Sequence, residues 1–393
     1  MVPTTSDAVL AFIAAAAIAW LLVPLTERLA FRVGAIDFPK ERGLHDRPMP
    51  RLSGLAILVA VEAAGWIWMP EDGESRSILI GAIAIAAVGV VDDVKGLSAL
   101  PKLVGQIAAA SIPVIAGVRV ENLTLPFLGP WDLGWLGYPL TVLGIVAVVN
   151  VINFLDGVDG LAAGVCTIAA VTLAAIALSL ERNAAGVLAA LTAGAALGFL
   201  RHGFPPASSF MGDTGSNLLG FLLATASVQG ALKTNAVIAL AFPLVVLAVP
   251  ILDTGFVVAK RLKYRQPVYQ ADAWHFHHRM ANIGFSQRRT IAYLYAWTIV
   301  MAGLALALRF VPYSDNHGHF HAGWTALMLA LLALALAYSV YLVYVLEILK
   351  LRRGRINPET GEFEAIQLEE LGGPVGGEPG PEPEREPAEE APR

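Results

Sequence analysis

The feature that most constrains this chain is a succession of long apolar runs separated by short polar segments. A run of about 17 to 25 apolar residues can cross a bilayer as one helix, because a helix bonds its backbone N–H and C=O groups internally. Of the 393 residues, 56% are hydrophobic and only 15% are charged, against about 25% charged in soluble proteins. The sequence therefore predicts an all-α polytopic membrane protein.

The apolar runs predict about eleven transmembrane helices. Their expected ranges are 8–31, 53–70, 77–93, 101–119, 138–154, 158–180, 184–201, 216–231, 235–260, 291–311 and 323–349. Polar breaks at "ERN" (181–183) and "LKT" (232–234) divide two longer apolar regions. The first run is too long for the apolar part of a signal peptide and lacks an Ala-x-Ala site after it, so we expect it to remain as a span.

The distribution of Lys and Arg predicts the orientation, since cytoplasmic loops are enriched in these residues. With the N-terminus outside, the inner loops include Arg51, Lys95, Lys102 and Arg279. The outside keeps Arg76, Arg119, Arg182, Lys233 and Arg309. We therefore expect a transmembrane domain over residues 1–350 and a cytoplasmic tail over 351–393. The tail is rich in Pro, Gly and Glu, which predicts disorder from about residue 369.

Cysteine content and net charge constrain the function little. Cys166, the single cysteine, lies in an apolar run and is interpreted as a small packing residue. The net charge is −5, and part of that acidity lies in the tail. No nucleic-acid partner is expected.

Two acidic motifs follow apolar runs on the predicted inner face. "GVVDDVKGLSALPK" (89–102) contains adjacent Asp92 and Asp93, followed by Lys95 and Lys102. Adjacent carboxylates repel each other unless a cation lies close by. A solvated helix end is the alternative interpretation, but it accounts more easily for one Asp than for a pair.

The second motif, "NVINFLDGVDGLAAG" (150–164), places four polar residues three positions apart: Asn150, Asn153, Asp156 and Asp159. If the helix continues through them, this spacing keeps them near one face. Such a polar stripe within an apolar hairpin is hard to explain by packing alone.

Two further motifs are expected on the same face. "FMGDTGSNLLG" (210–220) places Asp213 beside glycines just before a helix, where backbone N–H groups favour anions. A simple helix cap is the alternative. "DAWHFHHRM" (272–280) lies in the longest inner loop and offers phosphate-binding groups at His275, His277, His278 and Arg279. Its spacing is not typical of zinc sites, and an inert surface loop is the alternative.

Together these motifs resemble those of the polyprenyl-phosphate N-acetylhexosamine-1-phosphate transferases. "VVDDVKGL", "NVINFLDGVDGLAAG", "FMGDTGSNLLG", "PILDTGF" and "HFHHRM" stand in the order and spacing of that family, and "DFPKERGLHDRPMPRLSG" resembles its first inner loop. The resemblance covers about residues 21–289. Ser53 stands where that loop usually has Gly. The histidine loop is similar to the N-acetylglucosamine branch, and it lacks the three consecutive histidines of the related phospho-MurNAc-pentapeptide translocases.

The resemblance implies an enzyme of the bacterial inner membrane with a cytoplasmic active site. A polyprenyl phosphate would attack the β-phosphate of UDP-N-acetylglucosamine and release UMP, as the first membrane step of a cell-envelope polysaccharide. The alternative is the same chemistry with another UDP-N-acetylhexosamine as the donor, including UDP-MurNAc-pentapeptide. The sequence leaves open a single displacement or a covalent aspartyl intermediate. It also leaves open the polymer made, the prenyl chain length and the oligomeric state, a homodimer being one alternative.

The family match also implies roles for individual residues. Asp213 and Asn153 would coordinate Mg²⁺ or Mn²⁺, and hard oxygen ligands suit these ions independently of the resemblance. Asp159 would hydrogen-bond uracil and Phe210 would stack on it. The candidate catalytic residues are Asp92, Asp93, Asp156 and Asp213, with Asp92 and Asp93 beside the lipid phosphate and Asp92 as a candidate base. The candidate substrate-binding residues are Lys95, Lys102, Asn150, Asp159, Phe210, His275, His277, His278 and Arg279.

An ion-coupled transporter is the competing class, because intramembrane acids and broken helices are typical of transporters. Here the acids are predicted at the inner edge of the membrane, and no inverted repeat is visible. A non-enzymatic membrane scaffold is a further alternative. Transfer of label from a UDP-sugar into organic-extractable lipid distinguishes an enzyme from both.

Overall fold

The structure is a computed structural model, and it describes most of the chain with defined gaps. The described residues are 3–38, 47–125, 129–231, 285–312, 321–351, 354–356 and 363–365, with scattered positions between 247 and 261. The predicted ninth span (235–260), the histidine loop with His275, His277, His278 and Arg279, and the tail beyond residue 365 lie wholly or mostly outside the described residues.

Ten long helices account for most of the described chain. They are α1 (Thr5–Val33), α2 (Gly54–Trp68), α3 (Gly73–Lys95), α4 (Ala99–Ile115), α5 (Gly137–Leu155), α6 (Leu161–Ser179), α7 (Asn183–Gly203), α8 (Gly212–Ala231), α9 (Gln287–Phe310) and α10 (Ala322–Leu351). Each coincides with one predicted span, with ends that differ by a few residues. The structure therefore confirms a mostly helical protein.

Short antiparallel strand pairs occur outside the helices. They are β1 (Ile36–Asp37) with β2 (Met49–Pro50), β3 (Asn122–Leu125) with β4 (Gly129–Asp132), and β5 (Gly354–Ile356) with β6 (Phe363–Ala365). A 3₁₀ turn over Gly134–Leu136 precedes α5. The expectation of an all-α chain is corrected to this extent.

Seven of the described helices are long and apolar enough to cross a membrane: α1, α3, α5, α6, α7, α9 and α10. Two apolar helices, α2 and α4, are shorter than this criterion. The chain is thus consistent with a polytopic membrane protein, while the number of eleven spans stays a prediction.

Helix α8 has the length of a span, and its surroundings explain its polar composition. It packs against α3, α5, α7, α2 and α6, so it lies inside the bundle. Its buried polar side chains include Thr214, Ser216 and Asn217, each with no exposed surface. Because protein surrounds it on several sides, this helix carries polar groups that would be costly against lipid.

Small residues allow the helices around α8 to approach closely. A Cβ on Gly89 of α3 would lie 2.4 Å from the Cα of Thr214 at the start of α8. Helix α1, which packs on α7, presents a stripe of buried alanines at Ala8, Ala11, Ala15 and Ala19. Such stripes of small residues are typical of helix contacts in membranes.

The contacts divide the chain into two units, Met1–Val340 and Tyr341–Arg393. The first unit contains the helix bundle. Of the second, the structure describes the end of α10 and the β5–β6 hairpin. The expected division at residue 350 and the predicted disorder of the tail stay predictions.

Candidate functional site

The site lies at the end of the bundle where α3 and α5 end and α4 and α8 begin. Because these helix ends meet, motifs far apart in the sequence come together at one place. Lys102 of α4 is the centre of the cluster: its Nζ lies 2.9 Å from Asp92 Oδ2 and 3.1 Å from Asp213 Oδ2. It also donates to Asn153 Oδ1 at 3.4 Å. One ammonium group is therefore surrounded by three side-chain oxygens from three helices.

The carboxylate of Asp92 is held on both sides. Its Oδ1 accepts a hydrogen bond from the Leu97 backbone N–H at 2.7 Å, just after α3 ends, and its Oδ2 meets Lys102. The side chain is 9% exposed. A carboxylate that is this enclosed needs a cation beside it, because burial of an unpaired charge is costly. The cation that the "DD" motif predicted is Lys102.

Asp93 faces the start of α8 and is wholly buried. Its Oδ1 accepts from the Asp213 N–H at 2.9 Å, and its Oδ2 accepts from the Thr214 N–H at 2.9 Å and the Thr214 hydroxyl at 2.6 Å. These N–H groups belong to the first turn of α8 and have no partner within that helix. Asp93 therefore caps α8 from another helix and fixes the backbone that carries Asp213. Its predicted catalytic role stays a prediction, and these contacts favour a positioning role.

Helix α8 begins earlier than predicted, at Gly212, so Asp213 lies within the first turn rather than before it. Gly212 has φ +66°, and a Cβ there would lie 2.2 Å from the Arg51 carbonyl oxygen. Only glycine meets both requirements at low cost. The glycine thus lets the first inner loop pass directly over the start of α8.

Asn153 joins α5 to this cluster. Its amide donates to Asp213 Oδ1 and, at 2.9 Å, to the Ser216 hydroxyl, while its Oδ1 faces Lys102. Asn150, one turn earlier, instead donates to Gln106 Oε1 at 2.8 Å, and Gln106 donates to Asn217 Oδ1 at 3.4 Å. The structure therefore places Asn150 in a network between helices, and its predicted substrate-binding role stays a prediction.

The stripe of Asn150, Asn153, Asp156 and Asp159 is not one helical face, because α5 ends at Leu155. Gly157 and Gly160 follow, and Gly160 has φ +72° immediately before α6. Glycines with this backbone freedom favour a turn over a continued helix. The turn nevertheless keeps Asp156 and Asp159 beside Asn153, because all three line one cavity.

This cavity has a volume of about 300 Å³ and lies next to the Lys102 cluster. The described residues that line it are Asp37, Arg51, Asn153, Asp156, Gly157, Val158, Asp159, Gly160, Ala163, Phe199, Gly203, Ser209, Phe210, Met211, Gly212 and Asp213. Asp159 Oδ2 accepts from the Ala207 N–H at 3.3 Å. Burial and then the negative charge of Asp213 raise the pKa of Asp156 well above its ordinary value.

Sequence reasoning missed several residues of this wall, among them Arg51, Asp37 and Ser209. The available signal for Arg51 was its position in "HDRPMPRLSG", the loop that resembles the family's first inner loop. Two other predicted groups lie elsewhere. Lys95 is exposed at the end of α3 and does not line the cavity among the described residues, and the histidine loop is outside the described residues.

The oxygen atoms around Lys102 Nζ also fit a divalent cation by their chemistry. Asp92, Asp213 and Asn153 supply two carboxylates and one amide oxygen, which are hard ligands of the kind that Mg²⁺ and Mn²⁺ prefer. Among the described residues, no three His, Cys, Asp or Glu side chains form a metal-binding group by themselves. A donor set at this place would therefore include the amide oxygen of Asn153, and the assignment of Asp213 and Asn153 as metal ligands stays a prediction.

The fold is consistent with a polytopic membrane protein, and a cluster of enclosed, charged side chains lies at one end of its helix bundle. A sequence model described as glycosyl transferase family 4 matches residues 75–231, which run from the first turn of α3 to the end of α8. The chain is 38% identical over 304 residues to the probable undecaprenyl-phosphate N-acetylglucosaminyl 1-phosphate transferase of Bacillus subtilis strain 168, covering 77% of this chain and 85% of that protein.

Other relatives carry related names. A decaprenyl-phosphate N-acetylglucosaminephosphotransferase of Mycobacterium leprae is 36% identical over 330 residues, covering 76% of this chain and 83% of the relative. A phospho-N-acetylmuramoyl-pentapeptide-transferase of Desulforudis audaxviator is 29% identical over 345 residues, covering 78% and 98%. The chain therefore belongs to glycosyl transferase family 4, among the polyprenyl-phosphate sugar-phosphate transferases, which confirms the resemblance inferred from its motifs.

Proposed function

We propose that this protein transfers N-acetylglucosamine 1-phosphate from UDP-N-acetylglucosamine to a polyprenyl phosphate, forming N-acetylglucosaminyl-diphospho-polyprenol and UMP. The observation that carries the proposal is the convergence of Asp92, Lys102, Asn153 and Asp213 beside an acid-lined cavity at a helix-bundle end. The relatives named for N-acetylglucosamine transfer are 34–38% identical over 304–330 residues, and those named for the MurNAc-pentapeptide are 29–34% identical over 232–345 residues.

The donor's uridine end would occupy the cavity. Phe210 offers an aromatic face there, and the half of the cavity formed by the α5–α6 turn offers Asp159 as an acceptor for the uracil N–H. A buried acceptor discriminates strongly, since a base without the matching donor leaves it unpaired. This arrangement supports a nucleotide with a uracil base.

The reacting phosphates would lie beside the Lys102 cluster. Asp213 and Asn153 would hold a Mg²⁺ or Mn²⁺ ion, which when bound stabilises charge on the transferred phosphoryl group and on the leaving phosphate. Lys102 forms ion pairs with Asp92 and Asp213, and its positive charge offsets the repulsion between the two carboxylates. The acceptor phosphate would bind beside this ammonium group, which is the cation of the cluster. Asp92 orients Lys102, and the acceptor, already an anion at neutral pH, needs little help from a base.

The site is proposed to face the cytoplasm, with about eleven spans and the N-terminus outside. The support is the excess of Lys and Arg in the loops at the site end. Single cysteines in a Cys166→Ala background test this orientation. Ser98, exposed between α3 and α4, should resist an impermeant thiol reagent in intact cells when replaced by Cys, whereas Glu71→Cys at the other end should react. Labelling in the reverse pattern would refute the cytoplasmic site.

The reaction itself is tested with purified protein, Mg²⁺, a polyprenyl phosphate and UDP-N-acetylglucosamine labelled in the sugar. Label should move into the organic phase with release of one UMP for each lipid formed. UDP-MurNAc-pentapeptide, offered at the same concentration, should not be used. Turnover of the pentapeptide donor alone would refute the sugar assignment, and absence of transfer from every UDP-N-acetylhexosamine would refute the reaction class.

A further inference from the structure

The cavity wall carries an imbalance of charge that the proposed reaction does not explain. Four aspartates line it, Asp37, Asp156, Asp159 and Asp213. Arg51 is the only Lys or Arg among the described residues of the wall. A nucleotide diphosphate entering such a cavity meets repulsion from the carboxylates unless cations offset it. Because Arg51 lies in this wall, its positive charge is relevant to how the protein binds an anionic donor.

The backbone of Arg51 is bonded to Ala35, just after α1, and lies close against Gly212 at the start of α8. Its N–H donates to the Ala35 carbonyl at 3.1 Å, and its own carbonyl oxygen lies where a side chain on Gly212 would be. With the backbone held in this way, the long side chain starts from a defined point on the cavity wall. Preorganised donors of this kind lose little entropy when they bind a ligand.

Arg51 also lies between the two ends of the proposed donor site. The flanking residues hold the backbone of Phe210: the Phe210 N–H donates to Pro50 O at 2.9 Å, and the Ser53 N–H donates to Phe210 O at 3.2 Å. The guanidinium reaches toward Asp93, which holds the backbone of Asp213. The guanidinium of Arg51 thus lies between Phe210, which would stack on the uracil, and Asp213, which would bind the metal. The diphosphate of the donor would lie in the same place.

The ion pair with Asp93 does not occupy the guanidinium fully. Arg51 Nη2 lies 3.6 Å from Asp93 Oδ1, beyond hydrogen-bond length, and the Arg51 side chain is 35% exposed. Both oxygens of Asp93 already accept shorter bonds from α8. Within the described part of the chain, Arg51 makes no side-chain hydrogen bond, so its planar donors can still bind a phosphate in a two-point contact.

We propose that Arg51 binds the diphosphate of the nucleotide donor. This inference rests on the proposed function, since it assigns one more residue to the same donor site. Arg51 supplies the positive charge that the acid-lined cavity needs on the side of the first inner loop, whereas Lys102 supplies it on the side of α4. It is a substrate-binding residue of the reaction.

The experiment compares two ligands that differ only in their phosphates. Binding of UDP and of uridine to the purified full-length protein is measured in EDTA, with wild type and Arg51→Gln. We expect the variant to bind UDP about 10- to 100-fold more weakly, the range of a charge-assisted hydrogen-bond pair, and uridine within about twofold. Arg47→Gln is the matched control, because Arg47 donates to the Ala207 carbonyl at 2.8 Å and does not line the cavity.

Two results would overturn the proposal: equal weakening of UDP and uridine binding, or unchanged UDP binding. The first would indicate a purely structural role. In the second case a raised KM for polyprenyl phosphate, measured in the transfer assay, would assign Arg51 to the acceptor's phosphate. If Arg51→Gln does not fold, Arg51→Lys keeps the charge beside Asp93 and should weaken UDP about three- to tenfold with uridine unchanged. Failure of the wild type to use UDP-N-acetylglucosamine would refute the proposed function separately, without deciding the UDP and uridine comparison.

Discussion

The two ends of the helix bundle both carry clustered charge, and they differ in how that charge is held. At the site end, the side chains of Asp92, Asp93 and Lys102 are 9%, 0% and 17% exposed, and each is bonded to a group on another helix. At the opposite end, Glu71 and Glu121 are 85% and 54% exposed and pair with Arg76 and Arg119 at 3.9 Å and 3.0 Å. Pairs as exposed as these are worth little, at most about 1 kcal/mol.

Cavity volume alone would favour the opposite end of the helix bundle over the candidate site. The cavity at the opposite end has a volume of about 650 Å³, against about 300 Å³ at the site. Its wall includes the charged residues Glu71, Asp72, Glu74 and Arg182, which lie at or beside the starts of α3 and α7. Buried charges that are bonded to one another therefore indicate the candidate site better than cavity volume does. A buried charge lowers stability unless it is paired, so a cluster of such charges favours a function at that place.

The largest effect is expected at Asp213. Asp213→Asn removes a charged oxygen from the proposed metal site and from Lys102, and activity should fall by at least about 100-fold, since metal stabilisation supplies several kcal/mol. Transfer of labelled sugar phosphate to lipid at saturating Mg²⁺ measures this. Elution as a folded protein in detergent is the control. Turnover near the wild-type rate would remove Asp213 from the proposed metal ligands.

A second large effect is expected where Gly212 holds the loop against α8. Gly212→Ala places a methyl group 2.2 Å from the Arg51 carbonyl oxygen at φ +66°, so both strain and overlap are expected, and activity should fall at least about tenfold with a lower thermal midpoint. Gly34→Ala is the matched control: it has φ +79°, but nothing lies within 4 Å of the added carbon. If both variants lose the same activity, the close approach at Gly212 has no special importance.

We expect substitution of Asp93 to lower stability more than substitution of Asp92, while both substitutions lower activity. Asp93→Asn leaves one of the α8 N–H or hydroxyl donors without its acceptor, which costs about 1–3 kcal/mol for a buried group, so we expect a lower thermal midpoint and reduced turnover together. Asp92→Asn, beside the more accessible Lys102, should reduce turnover with a smaller change in thermal midpoint. Thermal unfolding followed alongside transfer activity measures both, and a reversed order of the two midpoints would contradict the capping role of Asp93.

The smallest effect is expected at the opposite end. Asp72→Ala removes the N-cap of α3, whose Oδ1 accepts from the Ser75 N–H at 2.7 Å. This should cost about 1 kcal/mol of stability and leave activity within about twofold. Asp72→Asn, which can still accept that bond, should restore most of the stability. A loss of activity comparable to that of Asp213→Asn would show that the comparison of the two ends is wrong.

Much of the architecture could be predicted from the sequence alone, because in a bilayer each span is a local property. An apolar run of sufficient length forms a helix whatever surrounds it, since its backbone groups have no other partner in lipid. The motifs at the ends of these runs also predicted that Asp92, Asp213 and Asn153 would lie on one face, and the structure brings them together around Lys102. The ends of α5 and α8 were less predictable, because the turn at Gly157 and the start at Gly212 depend on contacts with other segments.

What the sequence by itself determined is therefore the class of fold, the family and several of the polar residues that meet at one face. Only the tertiary structure decided what each of those residues does there. Asp92 and Asp93 are neighbours in the sequence, yet one holds the Lys102 ammonium and the other caps α8. Arg51 lies in a different loop, yet it shares a wall with Asp213. The physical reason is that successive helical residues point about 100° apart, so the packing of distant helices selects which partner each side chain meets.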